Sequence, residues 1–496
     1  MGHVVRSTPE FYSIVARAWI AALTLTQSDS RDRLSYVLGL LSSVATFFTK
    51  QELCTKETLK VFIHNHDPSV LATWFLRHGE FSFKLIGDLR MERIGYGMLG
   101  YGVLIVLPTF LRGIHDAAEN LDINELPSRF LVELVNQGVI GFVVRAVHAL
   151  ATSRASQSAG GNLAHLVSAC TYFLAKLLED ERFKQARTAI SVALIRCIAV
   201  CGEQPDLAEM TGDLVTRLWI LLPSYTIHWG DQSGVDVVRV LAEYEQTIPK
   251  FAPEVREAWT RFVVVAKHRA EFADSVDSSG IVNMKACDNT LCTRLGPKNE
   301  FKRCSGCEAL YYCSIQCQAV DWHNGHRAAC KTHDYQLSGR VPFATPRQRA
   351  FARAMLHRDY THLKLKIFVQ AVACMRVSRD PHAGYFVVFD YSQGGPALGV
   401  YSLVEPSDAL DWLARAGIQW DLTVARAARS EGRMTIHAVR VREAKAPRHW
   451  VVPLHSDSGV IHEELVKMAC AQDGENQTED FKELVDRSNS EVLEFH

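Results

Sequence analysis

Apolar residues recur at helical spacing through the first half of the chain. The run FLVELVNQGVIGFVVRAVHAL, residues 130–150, predicts a helix, a short turn at Gly138 and a second helix. Strand-like alternation is nearly absent up to about residue 272. We therefore predict a helical domain over residues 1–275.

Helix pairs of this kind resemble the units of armadillo and HEAT proteins, which stack into a solenoid. The chain shows no strict sequence period to accompany them, so a plain helical bundle is the alternative.

The pattern changes in the second half. Residues 273–286 are small and polar and predict a linker, whereas residues 346–375 predict a helix. Four β-branched and aromatic runs then follow: YFVVFDY, LGVYSLV, MTIHAVRV and HWVVPL. They predict a small antiparallel sheet within an α+β domain over residues 334–496. The composition of its acidic tail, residues 473–496, predicts a solvated helix or a loose end without regular structure. The whole chain is thus multidomain and mainly α.

Two apolar segments require a membrane check. Ile94–Leu111 carries no charge over 18 residues, but it contains four glycines and Pro108, and a buried helix explains it as well as a membrane span does. Phe11–Leu25 is interrupted by Arg17 and predicts an amphipathic helix rather than a signal peptide. We expect no membrane association.

The charge balance gives no general attraction to nucleic acid or anionic lipid, because 54 Lys and Arg face 55 Asp and Glu. Locally, residues 287–331 hold six bases against four acids, a surplus too small for a phosphate-driven site.

Cysteine is the residue type whose distribution carries chemistry. Seven of the 13 cysteines lie between Cys287 and Cys330, together with His326. Disulfide frameworks belong to short secreted chains with cysteines spread throughout. The clustering instead predicts metal binding in a reducing compartment, which means the cytoplasm or the nucleus.

The spacing of the eight side chains suits two tetrahedral zinc ions. Cys304 and Cys307 form a CxxC knuckle, while Cys313 with Cys317 and His326 with Cys330 are four apart, on one face of a helix. Two assignments are open. A sequential one gives the first four ligands to one ion; an interleaved one ties distant segments together, which helps a segment with little apolar surface to bury.

The run CSGCEALYYCSIQCQAVDWHNGHRAAC resembles a MYND-type zinc finger, a match confined to residues 287–330. With the end of the linker, the finger is expected to form the middle domain, residues 276–333. The resemblance implies the interleaved assignment and two structural zinc ions. Zinc 1 then takes Cys287, Cys292, Cys313 and Cys317, and zinc 2 takes Cys304, Cys307, His326 and Cys330.

The chain departs from the family at one point. Eight residues separate Cys317 from His326, where many members have seven, so His323 competes as a ligand. We expect His326, because its spacing to Cys330 places both on one helix face.

The resemblance also implies a function. MYND fingers bind proline-containing peptides of partner proteins, often in transcriptional or signalling complexes. The family's peptide groove corresponds here to Ser305, Gln318 and Trp322. An amide suits an extended backbone and an indole face suits proline, although Trp322 is equally well explained as core of the finger.

We therefore expect a scaffold that is not an enzyme. The alternative is a SET-like methyltransferase of unusual layout, because Asn65-His66 is similar to the Asn-His motif of those enzymes. That motif lies on the wrong side of the finger and predicts a turn between helices. Cys197 with Cys201 predicts a buried core pair, and Gly394-Gly395 a hairpin turn.

Overall fold

The computed structural model describes residues 67–87, 126–152, 162–204, 207, 210–229, 233–278, 284–330, 345–405, 407–415, 420–442, 447–471 and 477–496. The chain divides into two compact units. The first comprises residues up to Leu218 together with Asp236–Arg261, and the second comprises Trp219–Val235 together with Phe262–His496.

The described part of the first unit is helical. In chain order it contains α1 (Pro68–Gly87), α2 (Leu126–Asn136), α3 (Val139–Thr152), α4 (Asn162–Glu179), a 3₁₀ segment (Glu181–Ala186), α5 (Arg187–Gly202) and α6 (Thr211–Thr216). Helices α3, α4 and α5 pack against one another, and α1 packs on α2 and α3. The predicted helix, turn and helix around Gly138 are confirmed.

The core of this unit is built from the apolar stripes that the sequence showed. Phe142, Phe173 and Leu194 are fully buried where α3, α4 and α5 meet. Cys170, Cys197 and Cys201 are buried in the same helices, which confirms the predicted core role of the last two.

One helical run of the described residues, Arg182–Gly202, is long and apolar enough to cross a membrane, and 56% of its apolar window is buried inside the protein. A second candidate arises only if α2 and α3, bent by 73°, are counted as one span. The core helix of a folded protein passes the same test. Ile94–Leu111 and Phe11–Leu25 lie outside the described residues.

The helical structure continues from Arg217 towards the cysteine-rich segment. It contains a wide helical turn (Arg217–Leu221), α7 (Leu222–Tyr225), α8 (Ser233–Glu243) and α9 (Pro253–Ser278), with 3₁₀ turns at Thr226–His228 and Ile248–Lys250. Helix α9 continues through the first residues of the predicted linker, up to Ser278. The last residues of the predicted linker, Met284–Ala286, form a strand. The linker prediction was wrong for those residues, because small polar side chains on an exposed face do not stop a helix.

The cysteine-rich segment consists of short elements. They are β1 (Met284–Ala286), β2 (Leu295–Pro297), a 3₁₀ turn (Lys298–Glu300), β3 (Lys302–Arg303), β4 (Tyr311–Tyr312), α10 (Ile315–Asp321) and a wide helical turn (Trp322–His326). Strands β1 and β2 form one antiparallel pair, and β3 and β4 form another.

The rest of the second unit is an α+β fold. Its elements are α11 (Pro346–Val377), a 3₁₀ turn (Pro381–Ala383), β5 (Tyr385–Asp390), β6 (Ala397–Ser402), α12 (Asp408–Arg415), α13 (Trp420–Arg429), β7 (Met434–Val441), β8 (Arg448–Ser456), α14 (Val460–Cys470), α15 (Gln477–Glu491) and β9 (Glu494–Phe495). A capping box formed by Thr345 and Gln348 starts α11. The predicted helix and the four predicted strands are all present.

The five strands form one sheet in the order β6-β5-β7-β8-β9. Three of the four strand pairs in the sheet are antiparallel, but β5 and β7 run parallel, with Val388 opposite Ala438. The prediction of an antiparallel sheet was therefore wrong for the central pair. The chain leaves β6 through α12 and α13 before it returns in β7, and such a crossover allows parallel pairing.

The acidic segment at the end of the sequence is a helix followed by an edge strand. Helix α15 buries Phe481, Leu484 and Ser488, and β9 pairs with β8 through Phe495 opposite His455. The helix prediction is confirmed, whereas a loose end was wrong. The charged face of α15 is exposed and its apolar face packs on α11 and α14.

Candidate metal centre

The first group of metal-ligating side chains joins two short strands and a helix. Cys287 directly follows β1, Cys292 closes the turn after it, and Cys313 directly follows β4. Cys317 lies in the first turn of α10, where the Ser314 hydroxyl accepts a hydrogen bond from its backbone N–H at 3.1 Å. The Sγ atom of Cys313 lies 3.7 Å from that of Cys292 and 3.5 Å from that of Cys317.

The second group lies in the knuckle after β3 and in the helix after α10. The Sγ atoms of Cys304 and Cys330 are 3.9 Å apart, and Cys307 Sγ is 3.4 Å from His326 Nε2. All four residues of this group are buried. Gly306 gives the knuckle its space, because a Cβ atom there would stand 2.8 Å from Cys330 Sγ.

These distances fit tetrahedral zinc. With zinc–sulfur bonds of about 2.3 Å, neighbouring sulfurs of a tetrahedron stand about 3.8 Å apart, and a sulfur and an imidazole nitrogen about 3.6 Å apart. Within each group every ligand atom lies within 4.8 Å of every other. The grouping is the interleaved one, so each zinc ion braces segments that are distant in the sequence.

The chemistry of the thiols also fits a cation. Burial raises the pKa of Cys287 and Cys313, and it raises that of Cys330 to about 12. Burial opposes ionisation of Cys317 as well, but hydrogen bonds from Ser314 and other neighbours lower its pKa to about 7. Four thiols this close cannot all ionise without a positive charge between them, and a zinc ion supplies that charge. Zinc at these two sites is structural, because protein atoms fill all four positions of each ion.

His326 is the histidine ligand, as predicted. It is buried with Nε2 towards Cys307, whereas His323 is exposed and belongs to neither group. The eight-residue spacing is accommodated by the wide turn Trp322–His326, in which Gly325 takes a φ of +121°. That conformation favours glycine, so the extra residue is absorbed locally and the ligand keeps its place.

Outer partners hold the imidazole of His326. Its Nδ1 atom lies 2.6 Å from the Tyr312 hydroxyl, which donates a hydrogen bond to Asp321 Oδ2 at 2.7 Å. Burial lowers the pKa of His326, so the ring is neutral, as a zinc ligand must be. Such partners fix the orientation of metal-bound histidines.

Sequence reasoning missed one residue of this arrangement. Arg426, on α13, is buried and contacts both carboxylate oxygens of Asp321 at 3.2 Å. Tyr312 and Asp321 lie within the run that resembles a MYND finger, but Arg426 lies far downstream in an ordinary amphipathic helix. No local signal marks it.

The predicted peptide-groove residues all lie next to zinc ligands or in the turn that carries one. Ser305 is exposed between Cys304 and Gly306, and Gln318 is half-buried on α10. Trp322 is half-buried and packs against the core of the finger. Its ring meets that of His326 edge-on, with centroids 5.4 Å apart. Their role in binding peptides stays a prediction.

The other candidates do not form a further centre among the described residues, where the two groups above are the only ones with metal-ligand geometry. Burial raises the pKa of Cys201 to about 12 and raises that of Cys197, so both thiols are neutral. Gly394 lies in the turn between β5 and β6, as predicted. Asn65 and His66 lie outside the described residues.

Comparison with known proteins identifies the cysteine-rich segment. Residues 287–330 match the sequence model of the family described as MYND finger. No curated protein and no solved structure matches the chain. MYND fingers are commonly protein-interaction modules. With two metal groups of matching geometry, residues 287–330 are a MYND-type zinc finger.

Proposed function

We propose that this protein is a non-enzymatic scaffold whose MYND finger docks proline-containing segments of partner proteins. The observation that carries the proposal is the placement of Ser305, Gln318 and Trp322. Each lies beside a zinc ligand or in the turn that leads to one, so the zinc ions hold all three on a rigid frame. A preformed frame reduces the entropy that is lost when a peptide binds.

Trp322 is suited to hold a proline. One edge of its ring is fixed against His326, while part of the side chain remains in contact with solvent. A flat apolar surface held in this way packs well against a pyrrolidine ring. The ring thus serves the core of the finger and the peptide together.

The neighbouring surface offers further contacts. On α10, Ile315 is 68% exposed and Val320 is 41% exposed, so both offer apolar surface to a partner. The Gln318 amide, three residues after Ile315 and therefore on the same side of α10, can donate and accept hydrogen bonds to an extended peptide backbone. Strand β3 pairs with β4 in a two-stranded sheet, so its other edge offers backbone groups to an added strand.

The proposal is tested by capturing partners from a cell extract with the full-length chain and with Trp322→Ala. Recovered partner segments are then titrated as synthetic peptides, each beside a version in which proline is replaced by alanine. We expect Trp322→Ala to weaken binding on the order of 10–100-fold, as removal of a central aromatic contact does. The alanine peptides should be weakened similarly.

The matched control is His323→Ala, because His323 is the exposed neighbour of Trp322 and no zinc ligand. It should bind as the unaltered chain does, and both variants should retain two zinc ions. If zinc-loaded Trp322→Ala recovers the same partners with the same affinity, the groove is not the binding site.

The absence of enzymatic activity is part of this proposal. Both zinc sites are filled by protein ligands and leave no position for a water or a substrate. The alternative, a SET-like methyltransferase, requires S-adenosylmethionine. Micromolar binding of that cofactor to the purified chain would favour the methyltransferase and contradict the scaffold.

We also propose that the helical region is armadillo- or HEAT-like and extends the binding surface. The support is the helical hairpin of α2 and α3 and the packing of α3 on α4 and α5. An experimental structure of the full chain would test it.

We expect the partners to act in transcriptional regulation and the protein to reside in the cytoplasm or nucleus, where thiols stay reduced. Microscopy of the tagged protein checks the location.

A further inference from the structure

A chain of hydrogen bonds leads from the second zinc site to a residue outside the finger. It begins at His326 Nδ1, passes through the Tyr312 hydroxyl and the Asp321 carboxylate, and ends at the guanidinium of Arg426. All four side chains are buried. Arg426 belongs to α13, which packs on β7 of the C-terminal sheet.

The direction of each hydrogen bond follows from the charges. The Asp321 carboxylate faces the Arg426 cation and only accepts, so Tyr312 donates its one hydroxyl proton to it. The Tyr312 oxygen then accepts from His326 Nδ1–H. A neutral imidazole with its proton on Nδ1 has its lone pair on Nε2, which is the atom that faces Cys307 in the metal group. The chain therefore selects the tautomer that zinc requires.

Arg426 reaches the first zinc site as well. Its second terminal nitrogen donates to the backbone carbonyl of Asp288 at 2.6 Å and lies 3.6 Å from the Asp288 carboxylate. Asp288 directly follows the ligand Cys287 and, through its carboxylate, accepts a hydrogen bond from the backbone of Tyr311. One guanidinium thus lies against two carboxylates, the buried one of Asp321 and the half-buried one of Asp288, one beside each metal group.

We propose that Arg426 is a zinc-positioning residue, by which the C-terminal fold holds His326 in the orientation and tautomer that the second zinc site needs. Without Arg426, the Asp321 carboxylate loses its fixed position and no longer holds the Tyr312 hydroxyl. The imidazole of His326 then loses the partner that fixes its orientation. The first site has four thiolates and no imidazole, so Arg426 supports it only through Asp288 and sets no ligand tautomer there. Zinc retention at the second site is the property that Arg426 controls.

The experiment uses the full-length chain loaded with two ¹¹³Cd²⁺ ions, because NMR separates the signal of a four-sulfur site from that of a three-sulfur, one-nitrogen site. A chelator is titrated into the unaltered chain, Arg426→Met and Arg429→Met. Arg429 lies on the same helix, and the same substitution there leaves the hydrogen-bond chain intact. For Arg426→Met we expect the His326 site to lose its metal at 10–100-fold lower chelator concentration, the usual effect of losing an outer partner. The four-sulfur site of Arg426→Met should be weakened less than the His326 site, because Arg426 contacts it only through Asp288, and Arg429→Met should behave as the unaltered chain does.

A second variant separates positioning from general destabilisation. Tyr312→Phe removes one hydroxyl and keeps the ion pair of Asp321 with Arg426, so it should weaken the same site. The double variant, Arg426→Met with Tyr312→Phe, should bind metal at the His326 site no more weakly than the more affected single variant does. Both changes break the same chain of hydrogen bonds, so their effects should not add. Equal weakening of both sites in Arg426→Met overturns the proposal, as does a His326 site that binds normally in either variant. If Arg426→Met does not fold, the result for Tyr312→Phe alone decides.

Discussion

A buried lysine on α11, Lys364, forms hydrogen bonds with residues of α15 and β9. Lys364 donates hydrogen bonds to Asn489 Oδ1 at 2.7 Å, Glu494 Oε2 at 2.8 Å and Ser488 Oγ at 3.0 Å. The Glu494 carboxylate accepts from Tyr360 with its other oxygen. The side chains of Lys364 and Glu494 are 4% and 8% exposed, so water does not replace a lost partner.

We predict that Lys364→Met releases α15 and β9. It leaves Glu494 buried without a counter-charge, and removal of one partner from a buried ion pair costs about 3–5 kcal/mol. A tenfold change in an equilibrium corresponds to about 1.4 kcal/mol, so local opening should become about 10²- to 4 × 10³-fold more frequent. Hydrogen exchange of residues 477–496, followed by mass spectrometry, measures this directly.

Two controls make the result decisive. Lys467→Met removes an exposed partner of Glu464, an ion pair worth about 0–1 kcal/mol, and should change little. Adding Glu494→Gln to Lys364→Met removes the unpaired charge and should restore part of the protection. If residues 477–496 exchange hydrogen at the same rate in Lys364→Met and Lys467→Met, the hydrogen bonds of Lys364 do not hold α15 and β9 in place.

Three further predictions concern acid, close packing and metal removal. Burial lowers the pKa of His437 to about 3 and that of His357 to about 4, well below the unfolded value. Both rings therefore favour the fold only while neutral. The free energy of unfolding should be at its maximum above about pH 6.5 and should fall towards pH 4 by about 1.4 kcal/mol per pH unit for each histidine. In denaturant titrations, the free energy of unfolding of His437→Asn should fall less steeply with decreasing pH than that of the unaltered chain. Gly306→Ala places a methyl group against Cys330 Sγ, so competition with a chelator should show weaker zinc at the second site and unchanged zinc at the first. Removing both ions should raise hydrogen exchange in residues 287–330 but not in 126–202; loss of helicity across the whole chain would contradict this independence.

The metal ligands were predictable because the constraint on them is local. A CxxC knuckle and two pairs four residues apart allow few geometries, and the structure realises the one that the resemblance implied. The helices around Gly138 and the strands of the C-terminal sheet were equally visible in their periodicity, since one face of each is buried.

What was missed depends on contacts distant in sequence. Parallel pairing of β5 with β7 is decided by the path of the chain through α12 and α13, which strand patterns do not encode. The end of the described chain looked polar, yet Glu494 is buried because Lys364 lies opposite it. Arg426 was invisible for the same reason: its partners Asp288 and Asp321 belong to another segment.

Two interleaved zinc ions brace residues 287–330, and single-ligand variants loaded with Co²⁺ distinguish this pairing from the sequential one. Each variant loses one ion, and the absorption of the remaining ion distinguishes four sulfurs from three sulfurs and one imidazole. Cys304→Ser should keep a four-sulfur site, made by Cys287, Cys292, Cys313 and Cys317, whereas Cys313→Ser should keep the site with His326. The opposite result, an imidazole-containing site in Cys304→Ser and a four-sulfur site in Cys313→Ser, would show that the ligands pair sequentially and that interleaving is wrong.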